Sequence, residues 1–259
     1  MKGRYCYWSV VDGDYAVMAQ AVVKSARRVG VFKDFHIWTD RPVEGAICHQ
    51  AAKFDKWGCL FKLTYLRDAV KQLNYDYFVW LDSDTYFVRN PGDVLRVMRC
   101  SPVHITLECD LSNPENRRPD WWDCPNDQFV ELMRAKGVRS KAVFNVNGGL
   151  FIAHHDVIET LFNLAYEFWT YCKENGWTFN DEPLLAYAMQ MLCGNPYAHT
   201  FRETMDLWAS DWTGRYHDDL PDGKAWFFSD YFTEEKILVN PAIVHAMRSK
   251  SALIVSAGA

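Results

Sequence analysis

An α/β fold, with a mostly parallel mixed sheet and helices on both faces, is the fold class that this sequence predicts. Short apolar runs rich in aromatic and β-branched residues alternate with longer segments whose apolar residues recur every three or four positions. The first pattern is typical of buried strands and the second of amphipathic helices. Their alternation along the chain favours a sheet covered by helices.

The individual elements follow from these two periods. Strands are predicted at residues 4–11, 35–38, 77–81, 103–107, 149–153 and 237–245. Helices are predicted at residues 15–29, 60–73, 127–135, 156–172 and 183–192, with a short one at 94–98. We expect Asp14 to cap the first helix and Gly30 to end it. Residues 112–126, which hold prolines and many polar residues, are expected to form a long loop.

Composition limits the possible functions. The chain has 259 residues, of which 49% are hydrophobic, and we expect one domain spanning residues 1–259. A net charge of −5 gives no basic surface for a nucleic acid partner. The sequence enters a strand directly and contains no run of about 20 apolar residues, so we expect no transmembrane segment and a cytoplasmic protein. The eight cysteines are expected to be reduced, although a disulfide between Cys109 and Cys124 stays open.

The most informative motif is YFVWLDSD at residues 77–84, where an apolar run ends in two carboxylates, Asp82 and Asp84. Ligands bind at the carboxyl ends of strands in α/β sheets. Carboxylate oxygens there are suitable ligands for Mn²⁺ or Mg²⁺, and the metal can in turn bind phosphate oxygens. An ordinary Asp-Ser-Asp turn is the alternative. The preceding apolar run and the extended stretch that follows favour the metal site.

Other polar positions interrupt apolar segments in a similar way. They lie in SVVDGDY at residues 9–15, FKL at 61–63, NVNGGLF at 145–151, NDEPLL at 180–185 and IVH at 243–245. Each also has a purely structural explanation, such as a turn, a solvated lysine, a loop, a helix start or a core histidine.

Taken together, these motifs resemble those of the GT-A-fold glycosyltransferases, and most closely the glycogenin-like retaining family that uses nucleotide sugars. The resemblance spans nearly the whole chain and implies a single GT-A, or Rossmann-like, domain. It also implies a metal bound by Asp82, Asp84 and His245, with Ser83 near the nucleotide.

The same resemblance assigns the remaining residues of a nucleotide-sugar site. Val10, Asp12 and Tyr15 would contact the nucleotide. The positions that would contact the diphosphate or the sugar are Lys62, Asn147, Gly148, Gly149 and Lys250. Four tryptophans are candidates for stacking on an acceptor sugar, although Trp is more commonly buried in the core, namely Trp121, Trp122, Trp208 and Trp212.

Asp181 and Glu182 are the predicted catalytic residues. Glu182 stands where the family usually has Gln, and Pro183 replaces a second Asp. A carboxylate near the anomeric carbon can act as a base or a nucleophile, which an amide cannot. Because the family works with Gln, the sequence favours a hydrogen-bonding role for Glu182 and leaves the chemical role open.

The expected function is metal-dependent transfer of a sugar from a nucleotide sugar, expected to be a UDP-sugar, to an acceptor hydroxyl with retention. The first alternative is a haloacid-dehalogenase-type phosphatase, in which Asp82 would be the nucleophile and Asp218 and Asp219 the later metal pair. That family usually has a hydroxyl residue four positions after the first Asp, where this chain has Tyr86. The second alternative is a catalytically inactive nucleotide-sugar-binding protein of the same fold.

Overall fold

The structure is a computed structural model that describes residues 3–51, 60–98, 101–114, 120–193, 206–210, 226–229, 236–239 and 241–246, with only the backbone at 226–229 and 236–239. The α-helices are Asp14–Arg28 (α1), Phe61–Gln72 (α2), Asn126–Ala135 (α3), Ile158–Glu174 (α4) and Asp181–Cys193 (α5). Short 3₁₀ helices lie at Val94–Val97 and His155–Val157.

The strands are Tyr5–Val11 (β1), Phe35–Thr39 (β2), Ile47–Gln50 (β3), Tyr77–Leu81 (β4), Thr85–Phe87 (β5), Val103–Asp110 (β6), Asp120–Trp121 (β7), Cys124–Pro125 (β8), Phe144–His154 (β9), Trp208–Ser210 (β10), Trp226–Ser229 (β11), Lys236–Val239 (β12) and Ile243–His245 (β13).

Six of these strands form one sheet in the order β3-β2-β1-β4-β9-β6. Strands β1, β2 and β3 pair in parallel, whereas β6 and β9 pair antiparallel with two register shifts. The sheet is thus mixed and mostly parallel, and helices flank it. This confirms the α/β fold class predicted from the two periods.

The chain divides into two compact units. The first consists of Met1–Lys53, Phe78–Val97 and Thr200–Ala259, and the second of Phe54–Tyr77 and Met98–His199. The single domain expected over residues 1–259 stays a prediction.

In the first unit, β10, β13 and β5 form a small sheet. Strand β13 pairs in parallel with β10 and antiparallel with β5, so that His245 lies opposite Thr85. Helix α1 packs against β5 and β1. The small sheet therefore brings the end of β13 next to the segment that follows β4.

In the second unit, α5 packs against both α4 and β9, and α2 packs against α4. Helix α5 is apolar around much of its surface, and eight successive residues from Pro183 to Gln190 are buried. A helix that is apolar on nearly all sides belongs inside a core. Its first two residues, Asp181 and Glu182, thus lie at the edge of a buried element.

Two local predictions are wrong. Asp14 does not cap α1, because the helix begins at Asp14 itself and Gly13 is the N-cap, with φ of 52°. Glycine adopts a positive φ without steric cost because it has no Cβ atom. The chain therefore enters α1 through Gly13, without a side-chain cap. Residues 112–126 are also not one loop, since β7 and β8 form a hairpin there and α3 begins at Asn126.

Two other features bear on the sequence expectations. The six cysteines in the described ranges, Cys109 and Cys124 among them, carry free thiols, so the disulfide left open is not formed. None of the helices in the described part of the chain combines the length and apolarity needed to cross a bilayer.

The hydroxyl group of Ser25 connects α1 to β5. Its Oγ accepts a hydrogen bond from the Phe87 backbone N–H at 3.0 Å and donates to the Val22 carbonyl at 2.8 Å. Ser25 is 3% exposed, so water cannot replace either interaction. The position of β5, which directly follows Asp84, depends on this bond.

We expect Ser25→Ala to lower the free energy of unfolding by about 1–3 kcal/mol, because it leaves the buried N–H of Phe87 without an acceptor. Urea unfolding followed by circular dichroism measures this. The matched control is Thr170→Ala, which removes a hydroxyl that donates to its own helix at the surface and should change stability by less than about 0.5 kcal/mol. Equal losses in the two variants would contradict the prediction.

Candidate functional site

Asp82 and Asp84 lie in the short connection between β4 and β5. The carbonyl of Asp82 accepts hydrogen bonds from the backbone N–H of Thr85 at 3.2 Å and from its Oγ1 at 2.8 Å, which closes a tight turn. The indole N–H of Trp80 donates to Oδ1 of Asp82 at 2.7 Å. The turn predicted as the alternative is therefore present, and it presents both carboxylates in defined positions.

His245, at the end of β13, lies against the same two carboxylates. Its Nε2 is 3.1 Å from Oδ1 of Asp84 and 3.8 Å from Oδ2 of Asp82. His245 and Asp84 are 4% and 6% exposed, whereas Asp82 is partly exposed. The backbone of Ala246 also donates to the Asp84 carbonyl at 2.8 Å. This region of the first unit thus brings together the three residues that the sequence assigned to a metal.

The donor set fits a divalent cation. One ligand atom from each of Asp82, Asp84 and His245 lies within 4.8 Å of the other two, so a single ion can contact all three. Two carboxylates and an imidazole are suitable ligands for Mn²⁺ and other divalent metals. That a metal binds here, and whether it is Mn²⁺ or Mg²⁺, stay predictions.

The predicted nucleotide residues of the first unit cluster at the β1–α1 junction. Val10 is buried in β1, Asp12 is exposed, and Tyr15 is 47% exposed in the first turn of α1. The Oγ of Ser9 donates to the Leu81 carbonyl at 2.9 Å. Because both residues are near the ends of their strands, β1 and β4 end at the same edge of the sheet.

Ser83 stands between the two aspartates and is 8% exposed. Its side chain is therefore largely shielded from solvent, unlike those of Asp12 and Tyr15. Lys250 and Trp212 lie outside the described residues, as do Asp218 and Asp219 of the phosphatase alternative. Tyr86, four positions after Asp82, is a buried residue of β5.

In the second unit, Lys62 of α2 is not a solvated surface lysine. Lys62 is only 7% exposed, and its Nζ lies 2.6 Å from Oδ2 of Asp181 at the start of α5. A buried lysine is found mainly where an anion pairs with it. The pair combines one of the predicted phosphate-binding residues with one of the predicted catalytic residues.

Strand β9 carries the asparagines and glycines singled out from the sequence. Asn147 is 2% exposed; its Oδ1 accepts from the backbone N–H of Gly149 at 3.0 Å and its Nδ2 donates to Glu108 at 3.2 Å. A Cβ atom at Gly148 would lie 3.2 Å from Cγ of Glu182, a tight contact, and 3.6 Å from Nζ of Lys62, an ordinary one. A side chain at this position would therefore require Glu182 to move by a few tenths of an ångström.

Both carboxylate oxygens of Glu182 accept hydrogen bonds. The backbone N–H of Gly148 donates to Oε1 at 2.8 Å, and the indole N–H of Trp122 donates to Oε2 at 2.9 Å. The second cluster thus contains five predicted residues of the second unit: Lys62, Asn147, Gly148, Asp181 and Glu182. It brings together the Lys62 ammonium group on α2, the Gly148 backbone N–H on β9 and the carboxylates of Asp181 and Glu182 on α5.

The pKa of Glu182 is raised to about 8, and burial is the largest cause. The negative charges of Glu108 and Asp181 contribute to the increase, while the Gly148 N–H and the Lys62 ammonium group oppose it. Removing a carboxylate from water disfavours its ionised form, and like charges add to that effect. A carboxyl group with a pKa near the working pH can both take up and release a proton.

The candidate tryptophans in the described part of the chain differ in exposure. Trp121 and Trp208 are 4% and 3% exposed, and Trp121 makes an edge contact with Phe129, so both have core roles. Trp122 is 40% exposed. Of the three that the structure describes, only Trp122 can therefore present an aromatic face to a ligand.

Glu108 is a site residue that the sequence analysis missed. It lies in β6, where its two carboxylate oxygens accept from Asn145 at 2.7 Å and Asn147 at 3.2 Å. The predicted strand ended at Leu107, one residue before Glu108, whereas the observed strand continues to Asp110. An acidic residue directly after an apolar run is the same signal that identified Asp82.

A second group of three metal-ligating side chains lies at His154, His155 and Asp156, at the junction of β9 and α4. Its Asp156 side chain is 69% exposed, and Nε2 of His155 is 2.7 Å from the Asp156 carboxylate. This group was not singled out from the sequence. It serves as an internal comparison for the Asp82 site.

Comparison of this chain with protein-family models and with curated proteins gives no match. The resemblance to glycogenin-like enzymes therefore depends on the motifs and stays a prediction.

We expect Mn²⁺ to raise the melting temperature of the protein, and Asp84→Asn to remove most of this increase, because the change deletes one of three ligands. Differential scanning fluorimetry with Mn²⁺ and with EDTA measures the effect. Asp156→Asn is the matched control, since it removes a carboxylate from the other histidine-containing group. A shift that survives Asp84→Asn and disappears in Asp156→Asn would place the metal at the His154 group instead.

Glu182 should make stability depend on pH. Between its ordinary pKa of 4.5 and its folded value of about 8, the native protein holds a proton that the unfolded chain has released. Stability from this group is therefore fully present below pH 4.5 and is lost as the pH rises through 8. We expect the difference in unfolding free energy between wild type and Glu182→Gln to decline from pH 5 to pH 8.5.

Urea unfolding at each pH measures that difference. Thr170→Ala, which carries no titratable change, should run parallel to the wild type. Parallel curves for wild type and Glu182→Gln would show that Glu182 does not retain its proton in the folded protein.

Proposed function

We propose that this protein is a metal-dependent glycosyltransferase that transfers a sugar from a nucleotide diphosphate sugar, expected to be a UDP-sugar, to an acceptor hydroxyl. The observation that carries the proposal is the cluster of Asp82, Asp84 and His245 at the end of β4, within 4.8 Å of one another. A Rossmann-like sheet with metal-ligating carboxylates at a strand end is suited to binding a nucleotide diphosphate through a cation.

Asp82, Asp84 and His245 would hold the cation. When bound, it supplies Lewis-acid stabilisation of the diphosphate leaving group. The residues at the β1–α1 junction support the nucleotide part of the proposal. Tyr15 offers an exposed ring that can stack on a base, and Asp12 an exposed carboxylate that can accept from a ribose hydroxyl.

The cluster in the second unit supports sugar recognition and chemistry. Lys62 carries positive charge and Glu182 a carboxyl group that can both donate and accept, while Asn147, 2% exposed and bonded to Gly149 and Glu108, holds this part of β9 in place. Sugar hydroxyls are bound by such mixed donor and acceptor groups. Asp181 forms an ion pair with Lys62 and thereby fixes the position of the Lys62 ammonium group.

Glu182 is the residue to which we assign proton transfer. Its carboxylate would take the proton of the acceptor hydroxyl while that oxygen forms a bond to the anomeric carbon. The bond from that carbon to the diphosphate oxygen breaks, and the diphosphate leaves with the electron pair. This single displacement inverts the anomeric carbon. Direct attack by Glu182 on that carbon is the other route, and it leads to the retention that the resemblance implies, after a second displacement. The raised pKa of Glu182 is compatible with proton transfer near neutral pH.

A screen of nucleotides and sugar nucleotides with Mn²⁺ tests the proposed function. We expect UDP to stabilise the protein more with Mn²⁺ than with EDTA, and one UDP-sugar to support transfer to a carbohydrate acceptor. Hydrolysis of p-nitrophenyl phosphate would instead support the phosphatase. Tight UDP binding with no transfer or hydrolysis of any sugar nucleotide would support the inactive binding protein.

We expect Glu182→Gln to lower turnover by about 10²-fold or more, the scale of a lost general base, while binding of UDP without sugar changes little. Wild-type turnover should rise with pH up to about 8, because the ionised carboxylate is the reactive form. Steady-state kinetics from pH 6 to 9 measures both. NMR of the product anomer reports retention or inversion.

Turnover of Glu182→Gln within a few-fold of the wild type would return Glu182 to the hydrogen-bonding role favoured by the sequence. An inverted product would exclude the retaining mechanism and leave proton abstraction as the role of Glu182.

A further inference from the structure

Trp122 occupies an unusual backbone conformation. The strands β7 and β8 pair Trp121 with Cys124, so Trp122 and Asp123 form a two-residue hairpin turn. Both have positive φ, of 54° and 59°. Turns of this kind favour Asn and Gly, and a bulky side chain there is strained. Strain of this sort persists where surrounding contacts hold it and is concentrated at functional sites.

The hairpin is anchored on one side and exposed on the other. Trp121 is buried, with its ring 5.1 Å from Phe129 at an interplanar angle of 88°. Its neighbour Trp122 is 40% exposed, and its only polar atom donates to Oε2 of Glu182 at 2.9 Å. The turn therefore presents a large aromatic face beside the carboxyl group that we assign to catalysis.

We propose that Trp122 is the positioning residue for Glu182 and the aromatic surface against which the acceptor sugar binds. This inference rests on the proposed function and names the acceptor as a carbohydrate with an apolar ring face. An aromatic ring next to a carboxylate offers a sugar the two contacts it needs, stacking for its C–H face and an acceptor for its hydroxyl.

The hydrogen bond from Trp122 has a definite chemical effect. Gly148 donates to one oxygen of Glu182 and Trp122 to the other, so the carboxylate has a fixed orientation. Donors to a carboxylate stabilise its ionised form. Of the charged groups that influence Glu182, Glu108 and Asp181 oppose ionisation and Lys62 favours it. Trp122 acts with Lys62 in keeping a fraction of Glu182 ionised near neutral pH.

Two substitutions separate the two roles. Trp122→Phe keeps an aromatic face and removes the N–H donor, whereas Trp122→Ala removes both. The first should shift the apparent pKa of turnover upward and lower kcat at pH 7 by about threefold to tenfold, with little change in the KM of the acceptor. Trp122→Ala should show the same pH shift and, in addition, raise the acceptor KM by about tenfold or more.

Tyr166→Ala is the matched control, because Tyr166 is a half-exposed aromatic residue on α4 in the same unit. It should leave both kinetic constants unchanged. Since Trp122 is not part of the core, all three variants are expected to melt cooperatively, as differential scanning fluorimetry can verify.

A readout that needs no turnover keeps this inference separate from the proposed function. The ¹³Cδ signal of Glu182, assigned with Glu182→Gln, can be titrated from pH 5 to 10 in the wild type and in Trp122→Phe. A higher midpoint in Trp122→Phe supports the positioning role even if no sugar nucleotide is turned over. Identical midpoints would overturn that role, and equal acceptor KM values for Trp122→Phe and Trp122→Ala would overturn the stacking role.

Discussion

The antiparallel pairing of β13 with β5 is the constraint on which the candidate metal site depends. This pairing sets His245 opposite Thr85 and brings its Nε2 within 3.1 Å of Asp84, a residue 161 positions earlier. A carboxylate pair on a tight turn can be found in many proteins, and it gains a defined third ligand only when another strand ends beside it. The buried Ser25 of α1 accepts a hydrogen bond from Phe87 and thereby fixes β5 against that helix.

In the second unit the corresponding constraint is the burial of the charged groups of Lys62, Asp181 and Glu182 away from water. Lys62 and Asp181 form a close ion pair, and Glu182 next to it is held by two N–H donors. Leaving water is costly for a carboxylate, so burial and the nearby Glu108 raise the pKa of Glu182 to about 8. The stability of a protein core does not require such an arrangement, because apolar residues of similar size would make the fold at least as stable. The cost is understandable if the site performs proton chemistry.

The two clusters have complementary chemistry. Asp82, Asp84 and His245 provide the ligands that a cation requires, whereas the cluster around Glu182 provides donors, acceptors and a titratable group. One is suited to neutralising phosphate charge and the other to handling hydroxyl groups and protons. These are the two kinds of chemistry that the proposed transfer from a nucleotide sugar would use.

The sequence by itself determined the five α-helices, most strands of the main sheet and the nature of the polar residues, but not the strand β3 or the hairpin of β7 and β8. The strand Tyr77–Leu81 was predicted at its observed bounds, because a short apolar run and its flanking residues are local information. It also singled out Asp82 and His245, since polar residues directly after apolar runs are visible in one dimension. Tertiary structure alone decided their distances, the role of Glu108 and the bond from Trp122 to Glu182. Burial, and the pKa that follows from it, depends on segments far apart in the chain, which no local pattern can specify.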